Sequence, residues 1–243
     1  MAEQESRSKG IQFMNPVHFS WKPDRDVHVW KFPAISTGLS LLTVSEREFA
    51  NRFRFEGDRN RFAVGRQALR FLLSKYLSVN PLDIGIISEV GQKPFISIPS
   101  TNIYFNISHS GDWVLIAIAK EELGIDIEKV DPDFNFNDLL LEHFSEAEQS
   151  FISSEEDSIA AFYFLWTRKE ALTKAWGTGL QGNLKMVPAL DEFSFFDRHK
   201  KIWNLESFRI SAEYSGALAY SSQLESIIYY DGSGQHIHGS LFL

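Results

Sequence analysis

Near the middle of the chain, Gly124-Ile125-Asp126-Ile127-Glu128 places two carboxylates two residues apart, interleaved with isoleucines. In a strand successive side chains alternate, so Asp126 and Glu128 share one face while Ile125 and Ile127 share the other. Two carboxylates at roughly 6 Å repel by about 3 kcal/mol at an effective dielectric near 20, which an apolar sheet tolerates only with a cation nearby. A few hard oxygen ligands suit Mg²⁺, completed by water and substrate phosphate. Mn²⁺ is the alternative ion, since oxygen ligands discriminate poorly between the two. Taken alone, the pentapeptide is more simply a solvated edge strand with two surface acids. Further along, Trp166, Glu170 and Lys174 are each four residues apart and stack on one helical face. A lone Glu and Lys at that spacing form an ion pair worth a few tenths of a kcal/mol. Combined with the strand pair, Glu170 offers a third carboxylate and Lys174 a phosphate contact.

A third segment, Phe105 to Gly111 (FNISHSG), ends a strand in Ser108, His109, Ser110 and Gly111. Such an end presents hydroxyls, an imidazole and backbone N–H groups to an anion at a turn. His109 on its own is more often a structural histidine, and spacing assigns no role to Asn106. A serine hydrolase is not indicated, because there is no nucleophile elbow and Ser108 and His109 are sequence neighbours pointing apart. No Walker loop, Rossmann glycine pattern or zinc-binding helix is present.

These residues need elements to hold them. Residues 1 to about 26 read as an irregular lead-in, and the alternation in Val27 to Phe32 as a strand. Ser45 followed by Glu48 is a capping-box pattern. From about 58, Phe62, Leu69, Leu72, Leu73, Tyr76 and Leu77 recur at helical spacing until Pro81. Residues 103–130 read as three strands with tight turns. Short helices are expected over 137–143 and 146–153, the second capped by Ser145 with Glu148, and a longer one over 156–176, stopped by Gly177 and Gly179. The remainder (FSFF, 205–210, ALAYSS, SIIYY) returns to strands. Helices followed by strands, twice over, predict an α+β protein of two halves dividing near 120, 1–119 and 120–243, although no strict sequence repeat relates them.

The 243 residues are 44% hydrophobic and 23% charged, which excludes bulk disorder. The absence of cysteine excludes disulfide scaffolds, thiolate metal sites and cysteine nucleophiles. Apolar runs such as Trp113 to Ala119 are far shorter than the roughly 18 residues of a membrane span, and MAEQESRSKG lacks a signal-peptide core, so a cytoplasmic protein without a membrane partner is expected. A formal charge of −8 disfavours nucleic acid. Against that background Arg47, Arg52, Arg54, Arg59, Arg61, Arg66 and Arg70 crowd into one short stretch, an arrangement that suits a small polyanion.

In this order and at these separations, FNISHSGDWV, LGIDIEKV, HFSEAE and FYFLWTRKEALTKAWGTGL resemble the 4′-phosphopantetheinyl transferases of the Sfp type, over about Val44 to Tyr220. The resemblance implies a monomer of two similar α+β halves, the pseudo-twofold fold of that family, with coenzyme A in the cleft between them. Its members move 4′-phosphopantetheine from coenzyme A to a serine of an apo acyl or peptidyl carrier protein and release adenosine 3′,5′-bisphosphate. Carried over, Asp126, Glu128 and Glu170 match the Mg²⁺ ligands and Lys174 the lysine on the coenzyme A phosphates. Ser108 and His109 match contacts to the pyrophosphate and 3′-phosphate, Lys93-Pro94 an element against the adenine, and Arg61 an arginine at the 3′-phosphate. Gln92 stands where the family has glycine before Lys-Pro, although Gly91 precedes it, and Ser45 to Arg54 lacks the lysine pair of some relatives. Arg47 or Arg52 is the candidate substitute, and Trp166 is expected to fill space behind Glu170. The carrier would meet either the arginines or an apolar groove within 134–152, most of whose side chains are expected to pack inward. The competing readings are a Mg²⁺-dependent phosphohydrolase using the same acids and a non-catalytic coenzyme A-binding protein. For the transfer itself Glu170 and Lys174 are the catalytic candidates, with Glu170, directly or through a water, the best candidate to accept the serine proton.

Overall fold

A computed structural model describes residues 9–14, 23–35, 38–88, 93–178, 183–190, 194–196 and 201–233. In chain order the elements are β1 (Lys9–Gly10), β2 (Asp26–Pro33), α1 (Val44–Ala50), α2 (Glu56–Leu77), β3 (Gly85–Ile87), β4 (Phe95–Ile98), β5 (Tyr104–Ser110), β6 (Trp113–Ala119) and β7 (Leu123–Lys129). They continue with α3 (Asn137–His143), α4 (Glu146–Ser154), α5 (Ser158–Trp176), β8 (Ser194–Phe196), β9 (Ile202–Ser211), β10 (Tyr214–Ser221) and β11 (Ser226–Asp231). The α+β class and most elements agree with the sequence reading. The hairpin β3–β4, whose strands carry no clean alternation, was not expected, and Gly179, Gly91 and Gln92 lie outside the described residues.

Two sheets form the body. One runs β11-β2-β6-β5; the other runs β1-β9-β10-β7, with β8 beside β9. Each sheet draws strands from both ends of the chain. The late strand β11 pairs in parallel with β2, in register Ile227↔Val27 and Tyr229↔Val29, and β1 pairs in parallel with β9.

Alternation along the strands explains the layering. Trp30, Phe32, Ile116 and Ile118 face α2 and pack on Leu69, Leu72 and Leu73, whereas Val27, Val29, Leu115 and Ala117 face a second core shared with Ile125, Ile127, Phe208 and Leu218 of the other sheet. Beyond that sheet, Ala171, Leu172 and Ala175 of α5 pack on Trp203, Ala217 and Ala219. Truncating a fully buried leucine such as Leu72 removes about 2–5 kcal/mol.

Helix ends follow side-chain chemistry. The Ser145 hydroxyl accepts from Glu148 N–H while the Glu148 carboxylate accepts from Ser145 N–H, the expected capping box. At α1 the expected Ser45–Glu48 box is corrected to Thr43–Glu46. Glu46 is held there because Arg70 pairs with both its oxygens, at 2.9 and 3.0 Å. Gly177 ends α5 at φ 69°, a left-handed cap that glycine adopts without strain.

Candidate active site

The glycine of the central pentapeptide sets the approach of α5. A Cβ on Gly124 would stand 2.1 Å from the Ala171 carbonyl oxygen and 2.4 Å from the Ala175 nitrogen, so only glycine lets the helix backbone lie against β7. Gly124, Asp126 and Glu128 point alternately toward that helix, and Ile125 and Ile127 point into the shared core. This contact brings one turn of α5 over the acids. Lys174 Nζ lies 2.5 Å from Asp126 Oδ1 and 3.4 Å from Glu170 Oε2. Ser108 Oγ donates to the same Asp126 oxygen at 2.8 Å and accepts from Lys174 at 3.3 Å. Asp126 is 1% exposed, which removes the solvated-edge alternative for the pentapeptide.

The electrostatics follow from this crowding. Burial and the neighbouring Asp126 charge push the Glu128 carboxyl up to about 7, and the same two causes push Glu170 up to about 7. Ser110 Oγ donates to Glu128 Oε2 at 2.8 Å, and Trp166 hydrogen-bonds Glu170, so the tryptophan orients the carboxylate as well as filling space behind it. Burial works against the Lys174 charge, but Asp126 and Glu170 outweigh it and hold the ammonium above its ordinary range. Crowding around the His109 ring lowers its pKa, and the Arg61 and Lys174 charges lower it further. Arg61, His109 and Lys174 therefore share one electrostatic neighbourhood.

The sequence reading passed over what joins the two sheets here. On β5, Asn106, Ser108 and Ser110 share one face, and their side chains accept in turn from the backbone N–H groups of Ile125 (2.8 Å), Ile127 (3.2 Å) and Lys129 (3.0 Å) on β7. A ladder of side chains replaces a backbone ladder where the two edge strands meet. The available signal was the run Asn-Ile-Ser-His-Ser, polar at alternate positions within an apolar strand. A buried ion pair was missed too: Lys169 Nζ lies 2.8 Å from Glu148 and also donates to the carbonyls of Leu184 and Val187.

The remaining candidates are placed differently. Arg61 donates to the Gly111 carbonyl at 3.1 Å and pairs with Asp58. Lys93 is tied to the Leu123 carbonyl at the start of β7, where burial lowers its pKa to about 8. Pro94 beside it is half-buried. Among the clustered arginines, Arg47 is held by the Leu42 carbonyl and Arg66 and Arg70 by Glu46, while Arg52, Arg54 and Arg59 stand exposed. Phe136, Leu139, Leu140, Phe144, Phe151 and Ile152 pack inward as expected, and Leu141 is 67% exposed.

Comparison with known proteins bears on this arrangement. Residues 122–228 match the family model described as the 4′-phosphopantetheinyl transferase superfamily, and residues 20–121 match that of the 4′-phosphopantetheinyl transferase N-terminal region. The 4′-phosphopantetheinyl transferase HetI of a Nostoc species is 32% identical over 166 residues, 64% of this chain and 70% of the relative. The chain belongs to the 4′-phosphopantetheinyl transferase superfamily. The 4′-phosphopantetheinyl transferase Sfp of Bacillus subtilis is 33% identical over 159 residues, 64% of this chain and 66% of the relative. AcpT of Salmonella typhi, also named a 4′-phosphopantetheinyl transferase, is 40% identical over 111 residues, 44% of this chain and 56% of the relative. These similarities span roughly two thirds of the relatives' lengths or less.

Among the described residues no group of three or more His, Asp or Glu is arranged to hold a metal ion, and the Lys174 ammonium stands between Asp126 and Glu170. The donor chemistry nevertheless fits a hard cation. Asp126 Oδ2 is buried with no hydrogen-bond partner, and burial together with the Asp126 charge raises the pKa of the two carboxylates beside it.

Proposed function

We propose that the protein transfers the 4′-phosphopantetheine of coenzyme A to a serine of an apo acyl or peptidyl carrier protein and releases adenosine 3′,5′-bisphosphate. The observation that carries this reading is the meeting of Asp126, Glu170, Lys174 and Ser108 within hydrogen-bond reach, with Glu128, His109 and Arg61 alongside. The acids with one orphaned oxygen suit a divalent cation, and the flanking lysine, histidine and arginine suit a pyrophosphate.

In the reaction the carrier serine oxygen forms a bond to the phosphorus that bears the pantetheine. The anhydride P–O bond breaks, and its electron pair leaves on the nucleotide 5′-phosphate. Glu170, with a pKa near neutral, is the carboxylate assigned to take the serine proton, directly or through a water. Lys174 is 28% exposed although it touches two acids, so part of it is open to the phosphates, whose charge it offsets. His109 and Arg61 supply the remaining positive or hydrogen-bonding groups toward the nucleotide, and Ser108 holds Asp126 in place. A Mg²⁺ ion would be held by Asp126, Glu128 and Glu170, where it would neutralise charge on the phosphate oxygens.

The test follows the nucleotide. Incubated with coenzyme A, Mg²⁺ and an apo carrier protein, the protein is expected to release adenosine 3′,5′-bisphosphate only when the carrier retains its acceptor serine. Release independent of the carrier, or inorganic phosphate from generic esters, would instead establish a phosphohydrolase.

A further inference from the structure

The turn between β5 and β6 carries the Gly111 carbonyl on which Arg61 rests, and it is gripped from the other half of the molecule. Tyr214, at the start of β10 and 2% exposed, accepts from the Asp112 backbone N–H at 2.9 Å and donates its own hydroxyl proton to Asp112 Oδ2 at 2.9 Å. Lys129 reaches the same carboxylate at 3.4 Å and lies 5.8 Å from the Tyr214 ring centroid. Gly111 sits at φ +54°, and a Cβ there would stand 2.3 Å from Tyr214 Oη and 2.7 Å from Lys129 Cδ. The turn therefore closes directly onto the tyrosine, in a left-handed conformation that favours glycine. Its own half contributes the bond from Ala34 N–H to the Asp112 carbonyl.

Two groups of the candidate site hang from this turn. Arg61 donates to the Gly111 carbonyl, and Ser110, the residue before, donates to Glu128. We propose that Tyr214 is a positioning residue for coenzyme A, whose hydroxyl fixes the Ser110–Asp112 turn and, through the Gly111 carbonyl, aims the Arg61 guanidinium at the nucleotide's 3′-phosphate. The inference rests on reading this site as the coenzyme A site, and adds a residue of β10 that acts through the turn. Its mechanism is preorganisation: with the turn fixed, less ordering of Arg61 is left to be done when the anion binds.

Tyr214→Phe keeps the ring and removes the hydroxyl. Calorimetric titration with coenzyme A in Mg²⁺, without carrier so that no turnover occurs, is expected to show affinity reduced by about tenfold, the scale of one hydrogen bond. With 3′-dephospho-coenzyme A the same variant is expected to bind as the wild type does. Combined with Arg61→Ala, the two losses are expected not to add. The exposed Asp112→Ala change, which removes the carboxylate partner without touching the core, is expected to act in the same direction. In turnover, KM for coenzyme A rises while kcat stays within about twofold. Unchanged coenzyme A affinity in Tyr214→Phe, equal weakening toward both ligands, or additivity with Arg61→Ala overturns the inference alone. Wild-type protein that binds no coenzyme A overturns the reading of the site and this inference with it.

Discussion

Asp126 is more deeply buried than Glu170 or Glu128, and its second oxygen has no partner. Oδ1 is shared by the Lys174 ammonium and the Ser108 hydroxyl, whereas Oδ2 is buried and unsatisfied. An unsatisfied buried carboxylate oxygen is costly, and it marks where positive charge is lacking. Glu170 lies one helical turn before Lys174, with its pKa raised toward neutrality. Glu170→Ala is accordingly expected to lower kcat by at least about 100-fold, the contribution of one positioned acid–base group, while circular dichroism and the melting temperature stay near wild type. Near-normal turnover in saturating Mg²⁺ would remove Glu170 from the chemistry. The pair Asp126/Glu128 and the four-residue spacing of Trp166, Glu170 and Lys174 were legible in the sequence, because strand and helix periods place those side chains without knowledge of the fold. The contacts of Ser110, Asp112 and Tyr214 were not, because they join residues up to about a hundred positions apart.

The junction of β5 and β7 is held by side chains acting as backbone acceptors. Asn106→Ala removes the acceptor for the buried Ile125 N–H, and urea unfolding is expected to show a loss of about 1–3 kcal/mol. An unchanged midpoint and slope would mean that the amide finds another partner. On the opposite side of α5, Glu148→Ala would leave the fully buried Lys169 without its counter-charge and is expected to cost about 3–5 kcal/mol, whereas an exposed ion pair contributes under about 1. Helices α3, α4 and α5 were predicted nearly to the residue because apolar period, Ser145 and Gly177 all agree on their limits. The start of α1 was misplaced by two residues because Thr43-x-x-Glu46 and Ser45-x-x-Glu48 are equally good capping patterns, and the choice falls to Arg70, which lies in another helix. The β3–β4 hairpin escaped notice since exposed Ile87, Phe95 and Ile98 blur its alternation.

For the molecule as a whole, buried titratable groups set how stability depends on pH. His28, 2% exposed, donates to or accepts from Tyr76 at 2.7 Å and packs edge-on to Tyr230, with Asp26 the nearby acid. Burial lowers its pKa to about 4 against 6.5 when unfolded, so between those values the unfolded chain binds more protons. Stability from the neutral histidine is thus present above pH 6.5 and lost as pH falls toward 4. Glu128 and Glu170 act in the opposite sense, since raised carboxyl pKa values favour the fold at low pH. The difference between wild type and His28→Gln isolates the histidine, and the wild type is expected to lose stability relative to the variant across that window; a flat difference would contradict a neutral buried His28. The α+β class was readable from the order of periodic segments. The crossing of β11 to β2 was not, because nothing local in SIIYY distinguishes one sheet edge from another.

The most direct measurement is the intact mass of an apo carrier protein after incubation with this protein, coenzyme A and Mg²⁺. The expected result is a gain of one phosphopantetheine, abolished by EDTA and by removal of the acceptor serine. A carrier of unchanged mass, across several carrier types and with coenzyme A demonstrably bound to the protein, would contradict the transfer reaction and leave a coenzyme A-binding protein in its place.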